Sequence, residues 1–128
     1  MGTDPKRPIV SVVDDDESVR ESLPDLLREF GFSPEAFSSA DDFLGSGSLE
    51  RTKCLILDVA MPGMSGPELL QELRRRGHKF PIVFITARGD ETTRSRLRKQ
   101  GAVEGLSKPF SDTALRDAVN AALEKGEE

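Results

Sequence analysis

Ile9-Val10-Ser11-Val12-Val13 runs directly into Asp14-Asp15-Asp16. So short and nearly continuous an apolar run predicts a strand buried on both faces of a parallel sheet. The pattern recurs. Cys54-Leu55-Ile56-Leu57 runs into Asp58, and Ile82-Val83-Phe84-Ile85 runs into Thr86. A weaker fourth stretch is followed by Lys108-Pro109. In an open parallel sheet the working residues sit at the carboxyl ends of the strands. Acids, a hydroxyl and an amine that are distant in sequence are therefore expected on one edge.

Helical spacers separate these runs. Residues 17–30 put Val19, Leu23, Leu26, Leu27 and Phe30 on one stripe, ended by Gly31. Pro24 has no N–H for the Arg20 carbonyl, so that turn is expected to kink or loosen. A short strand near 35–37 precedes a capped helix start at Ser39-Ala40-Asp41-Asp42, backed by Phe43 and Leu44. Gly45-Ser46-Gly47-Ser48 reads as a flexible break. Strand 54–58 leads into the turn-rich loop Met61-Pro62-Gly63-Met64-Ser65-Gly66. Ser65, Pro67 and Glu68 then signal a helix start. Leu69, Leu70 and Leu73 face inward along that helix, and Gly77 closes it. A strand over 81–86, a helix over 91–100 and a strand over 103–107 follow. Ser111 caps the last helix, whose stripe is Leu115, Ala118, Val119, Ala122 and Leu123. Five strand–helix alternations define a layered βα fold. The domain is read as 8–124, with a disordered lead-in over 1–7 and a tail over 125–128.

The chain has 128 residues, enough for one domain with a real core. A net charge of −5 argues against a general nucleic-acid footprint. No apolar stretch approaches the roughly 18–20 residues of a membrane span. The first eight residues lack the apolar core of a secretory signal. The single cysteine, Cys54, cannot form an internal disulfide and is read as packing. A cytoplasmic location is expected. His78, in the turn before the fourth strand, is read as a surface residue.

If the strands are neighbours, Asp14, Asp15 and Asp58 lie within a few ångströms of each other. Like charges so close raise one another's pKa. Either some carboxylates protonate, or a cation binds. Carboxylate oxygens with water suit a hard ion such as Mg²⁺. One His and one Cys cannot assemble a zinc site. A lone carboxylate at the tip of the third strand is a possible nucleophile for phosphoryl groups. In-line phosphoryl transfer needs placement and charge neutralisation, and Lys108 and Thr86 are placed to supply them.

At these residues the chain closely resembles the receiver domain of two-component response regulators, over about residues 8–124. The matching stretches are Val12-Val13-Asp14-Asp15-Asp16, Leu57-Asp58-Val59-Ala60-Met61-Pro62-Gly63-Met64-Ser65-Gly66, Ile85-Thr86-Ala87 and Lys108-Pro109-Phe110. The helices look most similar to receivers of the nitrogen-fixation type of transcription regulator. The resemblance implies a flavodoxin-like (βα)5 fold, a doubly wound parallel sheet of five strands in the order 2-1-3-4-5. It implies that Asp58 accepts the phosphoryl group. Asp15, Asp58 and the Ala60 backbone carbonyl would ligate Mg²⁺ (or Mn²⁺), and Asp14 would act through water. Thr86, the Ala87 amide and Lys108 would meet the phosphoryl group, with a cis Lys108-Pro109 bond aiming the lysine inward. The implied donor is a histidine kinase or a phosphotransfer protein in a phosphorelay, and self-dephosphorylation reverses the modification. The downstream protein target is unspecified, and a phosphorylation-linked homodimer is compatible with the resemblance.

Two features depart from the family pattern. Family members usually carry Tyr or Phe three residues before the lysine; here that residue is Gly105. Either the relay from Thr86 is altered, or the ring is dispensable. In 91–100, Leu97 is the only strongly apolar residue, among Arg94, Arg96, Arg98 and Lys99. That segment is either a short, shifted or mobile helix, or an ordinary helix with a solvated basic face. Both departures fall on the helix 91–100, strand 103–107 and last-helix face, the expected output surface. Ala60 and Arg88, two residues after Asp58 and Thr86, flank the site. Arg88 has either the phosphoryl group or Glu91 within reach. Together Thr86, Gly105, Arg88 and Pro109 form the expected switch.

A free-standing or excised receiver is the leading reading. The chain ends shortly after the last helix, so no DNA-binding segment is expected from it; the lack of a long apolar stretch leaves no contact with membranes expected either. The alternative is a phosphorylation-independent interaction module that retains the pocket. An aspartyl-phosphate hydrolase acting on outside substrates is disfavoured. Such enzymes commonly need a second Asp two residues after the nucleophile, where Ala60 stands. A flavin or nucleotide binder is disfavoured because three aspartates occupy the first loop, where phosphate needs Gly or hydroxyl amides.

Overall fold

The computed structural model describes residues 7–86, 95–96, 98–99 and 104–126. Its strands are β1 (Ile9–Val13), β2 (Ser33–Phe37), β3 (Cys54–Asp58), β4 (Ile82–Thr86) and β5 (Glu104–Ser107). They form one parallel sheet in the order β2-β1-β3-β4-β5. The alternation of strands and helices predicted a layered βα fold, and the strand order is the one the receiver-domain resemblance implies. β1 and β3 lie inside the sheet and are buried along their whole length. That is why they read as unbroken apolar runs. β2 is an edge strand, and it carries polar Ser33 and Glu35 and Pro34, which has no N–H to donate.

The helices whose bounds fall within the described residues are α1 (Glu17–Glu29), α2 (Ala40–Leu44), α3 (Gly66–Arg75) and the C-terminal helix Asp112–Gly126. Asp16 caps α1 by accepting the Ser18 N–H at 2.9 Å, and Ser18 holds its carboxyl below the ordinary range. The helix runs through Pro24 to Glu29. Pro24 therefore does not end it: packing of Leu23 and Leu27 against β1 and β3 outweighs the lost hydrogen bond. Ser65 and Glu68 form the expected capping box of α3. Ser111 Oγ accepts the Ala114 N–H at 3.0 Å at the start of the C-terminal helix. Gly31 and Gly77 take φ values of +94° and +88° just past α1 and α3, the left-handed exits that favour glycine.

Each sheet face carries its own core. Val10, Val12, Ile56, Val83 and Ile85 pack against α1 and the C-terminal helix. Leu55, Leu57 and Phe84 pack with Phe43, Leu69, Leu70 and Leu73 on the other face. Cys54 is buried among apolar side chains, which push its thiol up to about 12. It serves packing, as expected.

Two readings need correction. Segment 45–48 is not simply an open break. Ser48, Leu49 and Thr52 are buried, and Thr52 Oγ1 bonds both Ser11 Oγ at 2.7 Å and the Ser48 carbonyl at 2.8 Å. His78 is not a surface residue in the ordinary sense: its side chain is only 16% exposed and lies against Phe80, ring centroids 5.8 Å apart.

The readings for residues 1–6, for Ala87 and Arg88, and for most of 91–100 lie outside the described residues. Ser95, Arg96, Arg98 and Lys99 are helical and exposed. Gly105 lies in β5 opposite Phe84 of β4. No described helix is long and apolar enough to cross a membrane.

Candidate functional site

The carboxyl ends of β1, β3 and β4 are neighbours because the strands run parallel in that order. Val13 pairs with Leu57, and Asp58 pairs with Ile85. This register sets Asp14 and Asp15, just past β1, beside Asp58 at the tip of β3. Carboxylate oxygens of all three lie within 4.8 Å of one another. Asp14 and Asp58 are buried, whereas Asp15 is exposed at the rim.

Asp14 is fixed on every side. Its N–H donates to the Phe37 carbonyl at 3.1 Å. Its Oδ1 accepts the Asp16 N–H at 2.9 Å, and its Oδ2 accepts Lys108 Nζ at 3.2 Å. The Lys108 ammonium also stands 4.0 Å from Asp58 Oδ1. Lys108 directly follows β5, and its N–H donates to the Thr86 carbonyl at 2.8 Å; the Lys108-Pro109 bond after it is cis.

Burial pushes the Asp58 carboxyl up to about 7; Asp14 and then Asp15 add repulsion, and Lys108 opposes it. A carboxylate so placed carries excess negative potential that a cation relieves. The donor set is all oxygen, which suits a hard divalent ion such as Mg²⁺ and not zinc. The residues present therefore fit such an ion.

The β3–α3 loop brings helix backbone against the acceptor strand. The Gly66 N–H donates to the Val59 carbonyl at 3.0 Å. A Cβ at Gly66 would meet the Asp58 carbonyl oxygen at 2.4 Å. Glycine is therefore required here by close approach of two backbones.

The structure brings together Asp14, Asp15, Asp58, Thr86 and Lys108, all singled out in the sequence. Ala60 is exposed two residues beyond Asp58. Two contributors were missed by sequence reasoning. One is Gly66, whose only signal is a glycine placed directly after a helix cap. The other is Arg20, whose Nη1 donates to the Asp14 carbonyl at 3.0 Å. Its signal would have been helical spacing, one turn after the Asp16 cap.

A doubly wound parallel sheet with a carboxylate cluster and a lysine on its carboxyl edge matches the arrangement the receiver-domain resemblance implies. The response regulator receiver domain model matches residues 10–120, so the chain belongs to the receiver domain family of two-component response regulators. It is 49% identical over 117 residues to nodulation protein W of Bradyrhizobium diazoefficiens, covering 91% of this chain and 52% of that protein. It is 42% identical over 119 residues to the transcriptional regulatory protein FixJ of Azorhizobium caulinodans, covering 93% of this chain and 56% of that protein. The chain thus spans about half the length of the curated relatives it matches. The solved structure of response regulator StyR superposes with a TM-score of 0.86 at 49% identity, covering 94% of this chain and 61% of that one. The crystal structure of FixJ-N gives 0.81 at 37% identity, covering 91% and 93%.

Proposed function

We propose that Asp58 accepts a phosphoryl group from the phosphohistidine of a kinase or a phosphotransfer protein. The phosphorus–nitrogen bond of the donor breaks as a phosphorus–oxygen bond to Asp58 forms. Attack by water at phosphorus later breaks that bond, releases inorganic phosphate and returns the free carboxylate, so the chemistry falls on the protein's own side chain and not on an outside substrate. The observation that carries this reading is Asp58 itself: a buried carboxyl at a strand tip, beside two more carboxylates and 4.0 Å from an ammonium.

Asp15, Asp58 and the Ala60 carbonyl would hold Mg²⁺ (or Mn²⁺), with Asp14 contributing through water. When bound, the ion neutralises the charge that the carboxylates and the phosphoryl oxygens bring together. Lys108 moves from Asp14 toward a phosphoryl oxygen, a short step given that it already lies between the two aspartates. Thr86 and the Ala87 amide supply hydrogen bonds to the remaining oxygens. Downstream, Thr86, Arg88, Gly105 and Pro109 pass the change to the output face implied by the resemblance, which includes β5 and the C-terminal helix. That face would then bind a protein target or a second copy of the chain. Glycine at 105 leaves no ring to follow Thr86, so the readout differs from that of receivers with an aromatic there. Such a domain would work in the cytoplasm, alongside its donor.

Mass spectrometry after treatment with acetyl phosphate and Mg²⁺ tests the reading. One phosphoryl group per chain is expected, and none on Asp58→Asn. Stoichiometric labelling of Asp58→Asn would reassign the acceptor. Amide shifts of the labelled protein should extend from the site into β5 and the C-terminal helix. Shifts confined to the site would leave the phosphorylation-independent module as the better account of partner binding.

A further inference from the structure

We infer that Arg20 is a positioning residue for the carboxylate cluster, acting through the backbone of Asp14. The inference rests on the Mg²⁺ reading above and extends it to a side chain outside the cluster. Arg20 lies half-buried on α1, and its own N–H donates to the carbonyl of the Asp16 cap at 3.2 Å. Its guanidinium folds back along the helix, and Nη1 donates to the Asp14 carbonyl at 3.0 Å. That carbonyl belongs to the peptide joining Asp14 to Asp15. A peptide is planar and rigid, so holding its oxygen fixes the plane and with it the N–Cα direction from which the Asp15 side chain departs.

The remaining polar atoms of Asp14 are committed to Phe37, Asp16 and Lys108. Arg20 completes this set. Without it the oxygen at a buried strand end loses a charge-assisted donor, and the turn from Asp14 to Asp16 loses its link to the body of α1. Arg20 therefore presets Asp15 toward Asp58 before any ion arrives. Its charge acts in the opposite sense, because a cation near the cluster disfavours a second one. The two contributions thus predict opposite changes in Mg²⁺ affinity when Arg20 is lost, and the positioning role requires a decrease.

The test compares wild type, Arg20→Met and Arg20→Lys. Methionine keeps an apolar stem without a donor; lysine restores both charge and donor. In the metal-free proteins, Arg20→Met should shift the Asp15, Asp16 and Val59 amides, which reads the tether independently of metal binding. Titration with Mg²⁺ alone, followed by the same amides, should show affinity lowered five- to tenfold in Arg20→Met and partly recovered in Arg20→Lys. Thermal melts establish that each titrated sample is folded. Arg20→Met binding Mg²⁺ as tightly as wild type, or more tightly, overturns the inference even if its melting temperature falls. Should wild type itself fail to bind Mg²⁺, the proposed function falls first and this extension with it.

Discussion

Gly66→Ala is the substitution whose consequence the structure fixes most closely. A Cβ there would lie 2.4 Å from the Asp58 carbonyl oxygen, 3.0 Å from Val59 Cα and 3.1 Å from Phe84 Cε1. The first contact is about 1 Å short of ordinary van der Waals separation. Two of the three obstructing atoms are backbone, so no side-chain rotation relieves it. The start of α3 must withdraw by about that distance, and its N–H bond to the Val59 carbonyl, now 3.0 Å, stretches out of hydrogen-bonding range. Overpacking costs about 1–3 kcal/mol, and the lost bond costs about 1 kcal/mol more. Alanine's better helix propensity returns about 1 kcal/mol. The net expectation is a loss of about 2 kcal/mol, small enough that a domain of ordinary stability stays folded. Urea unfolding at neutral pH measures it. Because the clash falls on the carbonyl of Asp58 itself, any part of it that the acceptor residue absorbs should slow acetyl phosphate labelling as well, by up to ~10²-fold for an ångström of displacement. A variant with the wild-type urea midpoint and labelling rate would refute the reasoning.

Other consequences follow from the same coordinates. Asp58 titrates at about 7 in the fold, against an ordinary carboxylate value when unfolded. The folded state therefore binds the proton more tightly, and the contribution of Asp58 to stability falls as pH rises from about 4 to about 7. In metal-free protein the stability advantage of Asp58→Asn over wild type should grow across that window and level off above it; a difference independent of pH would contradict this. Asp15→Asn should weaken Mg²⁺ binding strongly, and an unchanged dissociation constant would remove it from the ligand set. Thr52→Val strands the Ser11 hydroxyl and the Ser48 carbonyl in a buried setting, and should cost about 1–3 kcal/mol in urea unfolding without slowing Asp58 labelling. A variant as stable as wild type would show that water replaces the lost hydroxyl.

Much of this protein was legible in its sequence because its central strands are buried on both sides. Such strands must be apolar throughout and must become polar where they emerge, so each run announces both its ends. Caps at Ser39, Ser65 and Ser111 are equally local, since one side chain satisfies an amide three residues away. Edge strand β2 was read short because Ser33 and Pro34, tolerated at a sheet edge, carry no strand signal. The polar set of Ser11, Ser48 and Thr52 was invisible because its members are distant in sequence and each is an ordinary loop or strand residue.

By itself, then, the sequence determined the alternation of strands and helices and the identity of the groups on the working edge: Asp14, Asp15, Asp58, Thr86 and Lys108. Patterns and residue types are properties of neighbours along the chain. Only the tertiary structure decided how far Lys108 stands from each aspartate, why position 66 admits no side chain, and that Arg20 reaches the Asp14 carbonyl. Those are distances between elements, set by sheet register and helix packing, and no local pattern in the chain encodes them.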